Sequence, residues 1–199
     1  MQPSQHRDTG PAILQIQTAL NLAGPSRLPR LPVDGTFGAL TVGRVMEFQF
    51  QNHLTVDGVV GPATAAKLPQ DQTGNNHQPE QPSGRSILVN LFDHELTAYE
   101  DGEPALNINP VIGGRPGFLT SIGVFPMTSR RLRQHSSGEF PSASGKRNMD
   151  FSLFYHEGEA IHQGDPNTPS HGCVHVGPPF AERLFGWAGN TDIWVIVMR

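Results

Sequence analysis

The spacing of hydrophobic positions changes partway along the chain. In the first third, Ile13, Ile16, Leu20 and Leu22 fall near helical spacing and are closed by Gly24. Val42, Val45 and Met46 do the same, with Gln49 and Leu54 continuing the spacing. This pattern predicts three short helices at about residues 11–23, 39–53 and 62–68. From about residue 85 onward, short apolar runs alternate with turn residues, which predicts strands. "SILVNLF" leads to a turn at Asp93-His94, and "ELTAYE" runs into Asp101-Gly102, a hairpin dipeptide. "ALNINPVIGG" follows, with Pro110 expected at an edge or bulge. Then come "GVFPMTS", "FSLFYHEGEAIHQG" folded about Glu157-Gly158, and the terminal "TDIWVIVMR". Only "PPFAERLFGWA" has a helical pattern here, with Phe180, Leu184 and Trp187 on one side and proline at its start.

The two patterns are separated by residues 70–84, "QDQTGNNHQPEQPSG", which contain no aliphatic or aromatic side chain. Such a segment buries too little apolar surface to offset its ordering entropy. The expected organisation is therefore a small all-α three-helix domain over residues 1–69, a flexible linker over 70–84 and a mainly-β domain with one helix over 85–199.

Composition narrows the partners. The net charge is −4 and no lysine-arginine block occurs, which argues against a polyphosphate partner such as nucleic acid. No apolar run approaches membrane-spanning length. "MQPSQHRDTG" has no signal-peptide core, so export is expected either after removal of a leader or by a route that reads none. Cys173 is the only cysteine, which excludes an intramolecular disulfide and marks a candidate reactive thiol.

The helical part carries an internal repeat. "VDGTFGALT" (33–41) and "VDGVVGPAT" (56–64) share V-D-G-x-x-G-x-x-T. Asp-Gly suits a tight turn, and the second glycine and the threonine suit the start of a helix. With "FQ" in the middle helix, this region resembles a peptidoglycan-binding domain of the three-helix type. The resemblance implies peptidoglycan, through its glycan and stem peptides, as the partner.

The chemistry concentrates in "IHQGDPNTPSHGCVHV", residues 161–176. His171, Cys173 and His175 occupy alternate positions and would share a face on a strand, as metal ligands do. With His156, His162 and Asp165 nearby in sequence, a zinc site is one reading, although no His-Glu-x-x-His pattern is present. In the other reading Cys173 is a nucleophile. A free thiol has a pKa of about 8.5, so it needs a nearby base, and the oxyanion formed on attack needs N–H donors. His162 supplies the base, and the Gly172 and Cys173 N–H groups supply the donors.

"FYHEGEAIHQGDPNTPSHGCVHV" resembles the active-site signature of the L,D-transpeptidase (YkuD-type) catalytic domain, a histidine after an apolar strand followed by Ser/Thr-His-Gly-Cys. "ILVNLFDHELTAYEDGEPALNINPVIGG" and "LTSIGVF" resemble earlier parts of that domain. The resemblance implies a β-sandwich with one helix and a cofactor-free cysteine enzyme acting on tetrapeptide stems. Cys173 is then nucleophile, His162 general base and acid, oriented by a backbone carbonyl, and His171 a supporting residue. Gly172 and Cys173 form the oxyanion site, and Ser170 and His175 contact substrate. The implied reaction is 3→3 cross-linking, or exchange or removal of the terminal D-Ala, in the periplasm or cell envelope, by a monomer. L,D-carboxypeptidase activity and a wall-targeting toxin fit the same site, whereas a zinc peptidase or a non-catalytic wall anchor would not need it. Three departures stand out: His175 replaces the usual arginine, the loop from His162 to Cys173 is short, and Ser121 replaces proline in "LTSIGVF". The last is expected to affect turn stiffness alone. The polar stretch around His135 is expected to be a solvated loop or a lid.

Overall fold

The computed structural model describes residues 4–70 and 80–199; most of the expected linker, 71–79, lies outside the described residues. Three helices, α1 (Pro11–Leu22), α2 (Ala39–Gln51) and α3 (Pro62–Lys67), form the first part. Their repeated turns have a specific physical basis. The Gln17 side-chain carbonyl accepts the N–H groups of Asp34 and Gly35, while its amide donates to the Asp34 carboxylate, the Thr36 carbonyl and the Thr41 hydroxyl. Gln49 does the same for the second copy, with Asp57, Gly58, Val59 and Thr64 as partners. Each V-D-G-x-x-G-x-x-T turn thus wraps a buried glutamine that satisfies backbone groups the turn leaves open. The repeated threonine serves this glutamine; the helices begin at Gly38 and Gly61 without a side-chain cap, contrary to the capping expected of Thr41 and Thr64.

The second part is a sandwich of two five-stranded sheets. The first has the order β3 (Glu103–Ile108), β2 (Glu95–Glu100), β1 (Arg85–Asn90), β10 (Ile193–Met198), β5 (Gly123–Pro126). The second has the order β4 (Val111–Ile112), β9 (Val174–Val176), β8 (Glu159–Gln163), β7 (Ser152–His156), β6 (Arg131–Leu132). The helix α4 (Phe180–Ala188) packs beside β8. Its buried side is Ala181, Leu184 and Ala188, with Phe180 and Trp187 half-covered at the flanks. Pro110 lies between β3 and β4, where it breaks no ladder.

The packing of the central strands explains the apolar runs Ile87–Val89 of β1 and Ile193–Met198 of β10. Ile87 and Val89 of β1 and Ile193, Val195 and Val197 of β10 enter the core between the sheets. Their alternates, Leu88, Ile196 and Met198, join a second cluster with Ile13, Leu20, Val45 and Met46 of the helices. Both faces of this parallel pair are buried, so neither strand alternates with polar residues. The helical bundle thus covers the outer face of the first sheet, and the two parts share a continuous core. Polar contacts reinforce it: the Ser86 hydroxyl donates to the Arg27 carbonyl (2.9 Å), and Arg27 pairs with Asp192 (2.7 Å). At the described end of the linker, Ser83 N–H donates to the Ser26 carbonyl and Gly84 N–H to the Asp101 carboxylate.

Candidate active site

The second sheet positions the chemistry. Strand β8 runs parallel to β9 with Ile161 opposite Val174 and His162 opposite His175. Ile161, Val174 and Val176 point into the core, so by alternation His162 and His175 point to the outer face. Cys173, one step before β9, shares that outer face with Ala160, Phe154 and Met149. Cys173 is therefore the diagonal neighbour of His162 on an adjacent strand, within side-chain reach. Both line a cavity of about 1290 Å³, roofed in part by the 133–151 segment through Phe140, Pro141 and Arg147. The loop after His135 thus forms one wall of the cavity.

His162 is 4% exposed. Its Nδ1–H donates to the Gln163 carbonyl at 2.9 Å, which leaves the Nε2 lone pair free. Burial pushes its pKa down to about 4, partly offset by that hydrogen bond, with His175 and His135 lowering it further. The imidazole is consequently neutral at neutral pH, the form a base requires. The Asp165 carboxylate is engaged by Asn167 and Thr168, not by His162. Burial raises the Cys173 thiol above its ordinary value; a hydrogen bond from the Ala160 backbone opposes this and the Glu159 carboxylate adds to it.

The turn before Cys173 is closed by Ser170. This buried hydroxyl donates to the Cys173 carbonyl at 2.5 Å and accepts the Gly172 N–H at 3.0 Å. Gly172 has φ +117°, a conformation suited to glycine. His171 points outward: it stacks on Phe140 (centroids 4.1 Å, 15°), meets Phe118 edge-on, and its Nε2 accepts from Arg115 Nη2 at 2.6 Å. His175 turns toward its own loop, where Nδ1–H is shared between the carbonyls of Thr168 (2.9 Å) and Asp165 (3.3 Å). Its ring lies 4.9 Å from that of His162 and packs so closely on Gly164 that a Cβ there would come within 2.6 Å. Among the described residues, no group of three or more His, Cys, Asp or Glu side chains is arranged to hold a metal ion.

The sequence did not single out Glu159, Phe140, Phe118 or Arg115. Their partners are distant in sequence, and only the fold brings them together. In the sequence Ser121 stands out only as a departure from proline. Its N–H and hydroxyl both donate to the Glu159 carboxylate, so its contribution extends beyond turn stiffness.

Comparison with known proteins bears on the two parts of the chain. The L,D-transpeptidase catalytic domain matches residues 84–197 and a peptidoglycan-binding domain matches residues 9–68. No curated protein matches the chain. An L,D-transpeptidase structure from Xylanimonas cellulosilytica is 28% identical over 99% of this chain and 98% of its own, with a TM-score of 0.48. One from Stackebrandtia nassauensis is 19% identical over 98% of this chain and 95% of its own, with a TM-score of 0.51, a likeness of fold. The L,D-transpeptidase LdtMt1 in complex with imipenem is 20% identical over 59% of this chain and 60% of its own, with a TM-score of 0.50. A catalytic-domain match over more than half its length, on a sandwich that brings a Ser-His-Gly-Cys turn beside a buried histidine, shows that this chain belongs to the L,D-transpeptidase family and carries a peptidoglycan-binding domain at its N-terminal side.

Proposed function

We propose that the protein acts on peptidoglycan tetrapeptide stems through a thioester on Cys173. The observation that carries this reading is the register of β8 and β9, which sets Cys173 and the neutral, buried His162 on one face of one cavity. His162 Nε2 takes the thiol proton as sulfur attacks the carbonyl between the third residue and the D-Ala at position four. The C–S bond forms, the C–N bond breaks, and His162 returns the proton to the departing amine. The Cys173 N–H faces the developing oxyanion, with the Gly172 N–H shared with Ser170. An acceptor amine then attacks the thioester; His162 takes its proton and returns it to sulfur. A second stem as acceptor gives a 3→3 cross-link, a free D-amino acid gives exchange, and water gives D-Ala removal.

The resting pair is neutral thiol and neutral imidazole. Burial disfavours both charged forms, so proton transfer accompanies attack. His171 supports the site from its rim, and Ser170 and His175 shape the substrate-facing turn and loop. The helical domain holds peptidoglycan and raises the local concentration of stems. We take the cell envelope as the place of action. Among the described residues, no helix is long and apolar enough to cross a membrane. Intact-mass measurement after incubation with imipenem tests the nucleophile, since LdtMt1 forms a complex with this compound. One adduct is expected on the native chain and none on Cys173→Ala, which should retain peptidoglycan binding. Processing of tetrapeptide stems by Cys173→Ala would refute the reading.

A further inference from the structure

The Glu159 carboxylate begins β8 and is half-buried, and it lines the same cavity as Cys173. It accepts the Ser121 N–H (3.1 and 3.2 Å), the Ser121 hydroxyl (2.8 Å) and the Tyr155 hydroxyl (3.0 Å). Its methylene chain lies under the nucleophile turn, where a Cβ placed on Gly172 would meet Glu159 Cγ at 3.7 Å. Ser121 belongs to a segment that is itself tied to that turn. Gly114 N–H donates to the Thr120 hydroxyl, Arg115 N–H to the Ser170 carbonyl, and Ser170 N–H to the Gly113 carbonyl. Three pieces of backbone therefore converge on one carboxylate: the 113–121 segment, the β7–β8 hairpin and the Ser170–Cys173 turn. A proline at 121 would supply neither donor.

We propose that Glu159 is a positioning residue for Cys173, whose carboxylate clamps the Thr120–Ser121 backbone beneath the nucleophile turn and keeps a fixed negative charge beside the thiol. A saturated carboxylate differs in kind from a free acid at this place. Its three donors fix the direction in which it points. Burial is the main cause of the raised Cys173 thiol, and the nearby Glu159 carboxylate adds to it. The same carboxylate also raises the neighbouring Tyr155 hydroxyl, which burial already holds far above its ordinary value. The nucleophile is thereby kept unreactive until substrate and His162 are both in place. The titratable and charged groups around this turn are Tyr155 from β7, Glu159 from β8 and Glu157 at the hairpin tip, with His162, Asp165, His171 and His175 lining the cavity, Glu139 and Arg147 on its far side and Arg115 holding His171.

This inference rests on the proposed role of Cys173, and its test separates the two. Cys173 is the only thiol, so its alkylation by iodoacetamide can be followed by intact mass across a pH series in the full chain. Removing the charge in Glu159→Gln is expected to move the alkylation midpoint to lower pH and raise the rate near neutral pH by roughly three- to tenfold, the effect of half to one pKa unit. The same variant is expected to lose about tenfold in imipenem acylation, which needs the positioned turn. Loosening of the turn alone could also expose the thiol, so Ser121→Ala, which weakens the clamp and keeps the charge, separates the two effects. Ser121→Ala keeps the charge, so its midpoint should stay and its acylation should fall about threefold, the loss of one hydrogen bond. An unchanged midpoint in a folded Glu159→Gln protein would overturn the proposal, as would unchanged acylation in Ser121→Ala. The second result decides the matter if Glu159→Gln does not fold. Absence of an imipenem adduct on the native chain would refute the catalytic reading instead, leaving the alkylation series valid.

Discussion

Acidification should destabilise this protein through His162. The folded pKa is about 4 against an ordinary value of 6.5, because the imidazole is buried and the cost of charging it there exceeds the help from the Gln163 carbonyl. The sign is fixed by proton uptake. Between these values the unfolded chain holds a proton that the folded chain does not, so stability is fully present above the unfolded pKa and is lost as pH falls toward the folded one. At about pH 5 the loss relative to neutral pH is about 2 kcal/mol, approaching about 3 kcal/mol near pH 4. Other groups contribute as well. His135 is also lowered by burial, and Asp34, Asp150 and Asp165 lie below the usual carboxylate range because of hydrogen bonds that favour their charged forms. The informative quantity is therefore the difference between the native chain and His162→Gln, measured by urea denaturation at about pH 7 and about pH 5. The native chain should lose about 2 kcal/mol more than the variant over this interval. Equal losses would show that His162 is not held neutral by burial, and the neutral resting pair would fall with it.

Further perturbations have defined outcomes. Gln49→Ala removes both halves of a buried turn plug and strands the Asp57 and Gly58 N–H groups; a loss of about 3 kcal/mol is expected by thermal or urea unfolding. Phe140→Ala removes the stack on His171, worth about 1 kcal/mol, and should speed hydrogen exchange and proteolysis within residues 133–151 while leaving the sandwich protected. Gly164→Ala drives a methyl against the His175 ring, so imipenem acylation should slow by about tenfold with little change in peptidoglycan binding. Because His162 stays neutral well below pH 6.5, the acid limb of acylation against pH should fall closer to pH 4 than to the ordinary histidine value.

Much of this architecture was legible from spacing and turn residues. The helices fall where Ile13, Ile16, Leu20 and Val42, Val45, Met46 put them, within a residue or two at each end. The hairpins at Asp101-Gly102 and Glu157-Gly158 follow from their dipeptides. Two-residue strands such as β6 and β4 are too short to show a period, and their pairing depends on partners far along the chain. The sharing of one core by the two parts was also hidden. The unbroken apolar run of β10 signals burial on both faces but does not name the second cover. At the site, residue types and spacing mark Cys173 and His162 as a candidate pair, and the register of β8 and β9 places both on one cavity. Glu159 and Ser121 were not legible, since a glutamate near a hairpin looks like any solvated charge until its three donors are in view. The alternate placement of His171 and His175 suggested a shared role. In the fold one faces the rim and the other its own loop.

The position of the helical bundle has a consequence for how the wall is approached. It rests on the outer face of the first sheet, whereas Cys173 opens from the outer face of the second. With roughly 10 Å between packed sheets and a layer of side chains on either side, anchor and thiol are separated by something on the order of 20 Å of solid protein. The bundle is fused to the sandwich by a common core, so this spacing is a rigid gauge and not the sweep of a tether. Under the proposed function, material gripped by the bundle is held away from Cys173. On that reading, any stem that reaches Cys173 lies at this set distance from the point the bundle holds, whichever strand carries it.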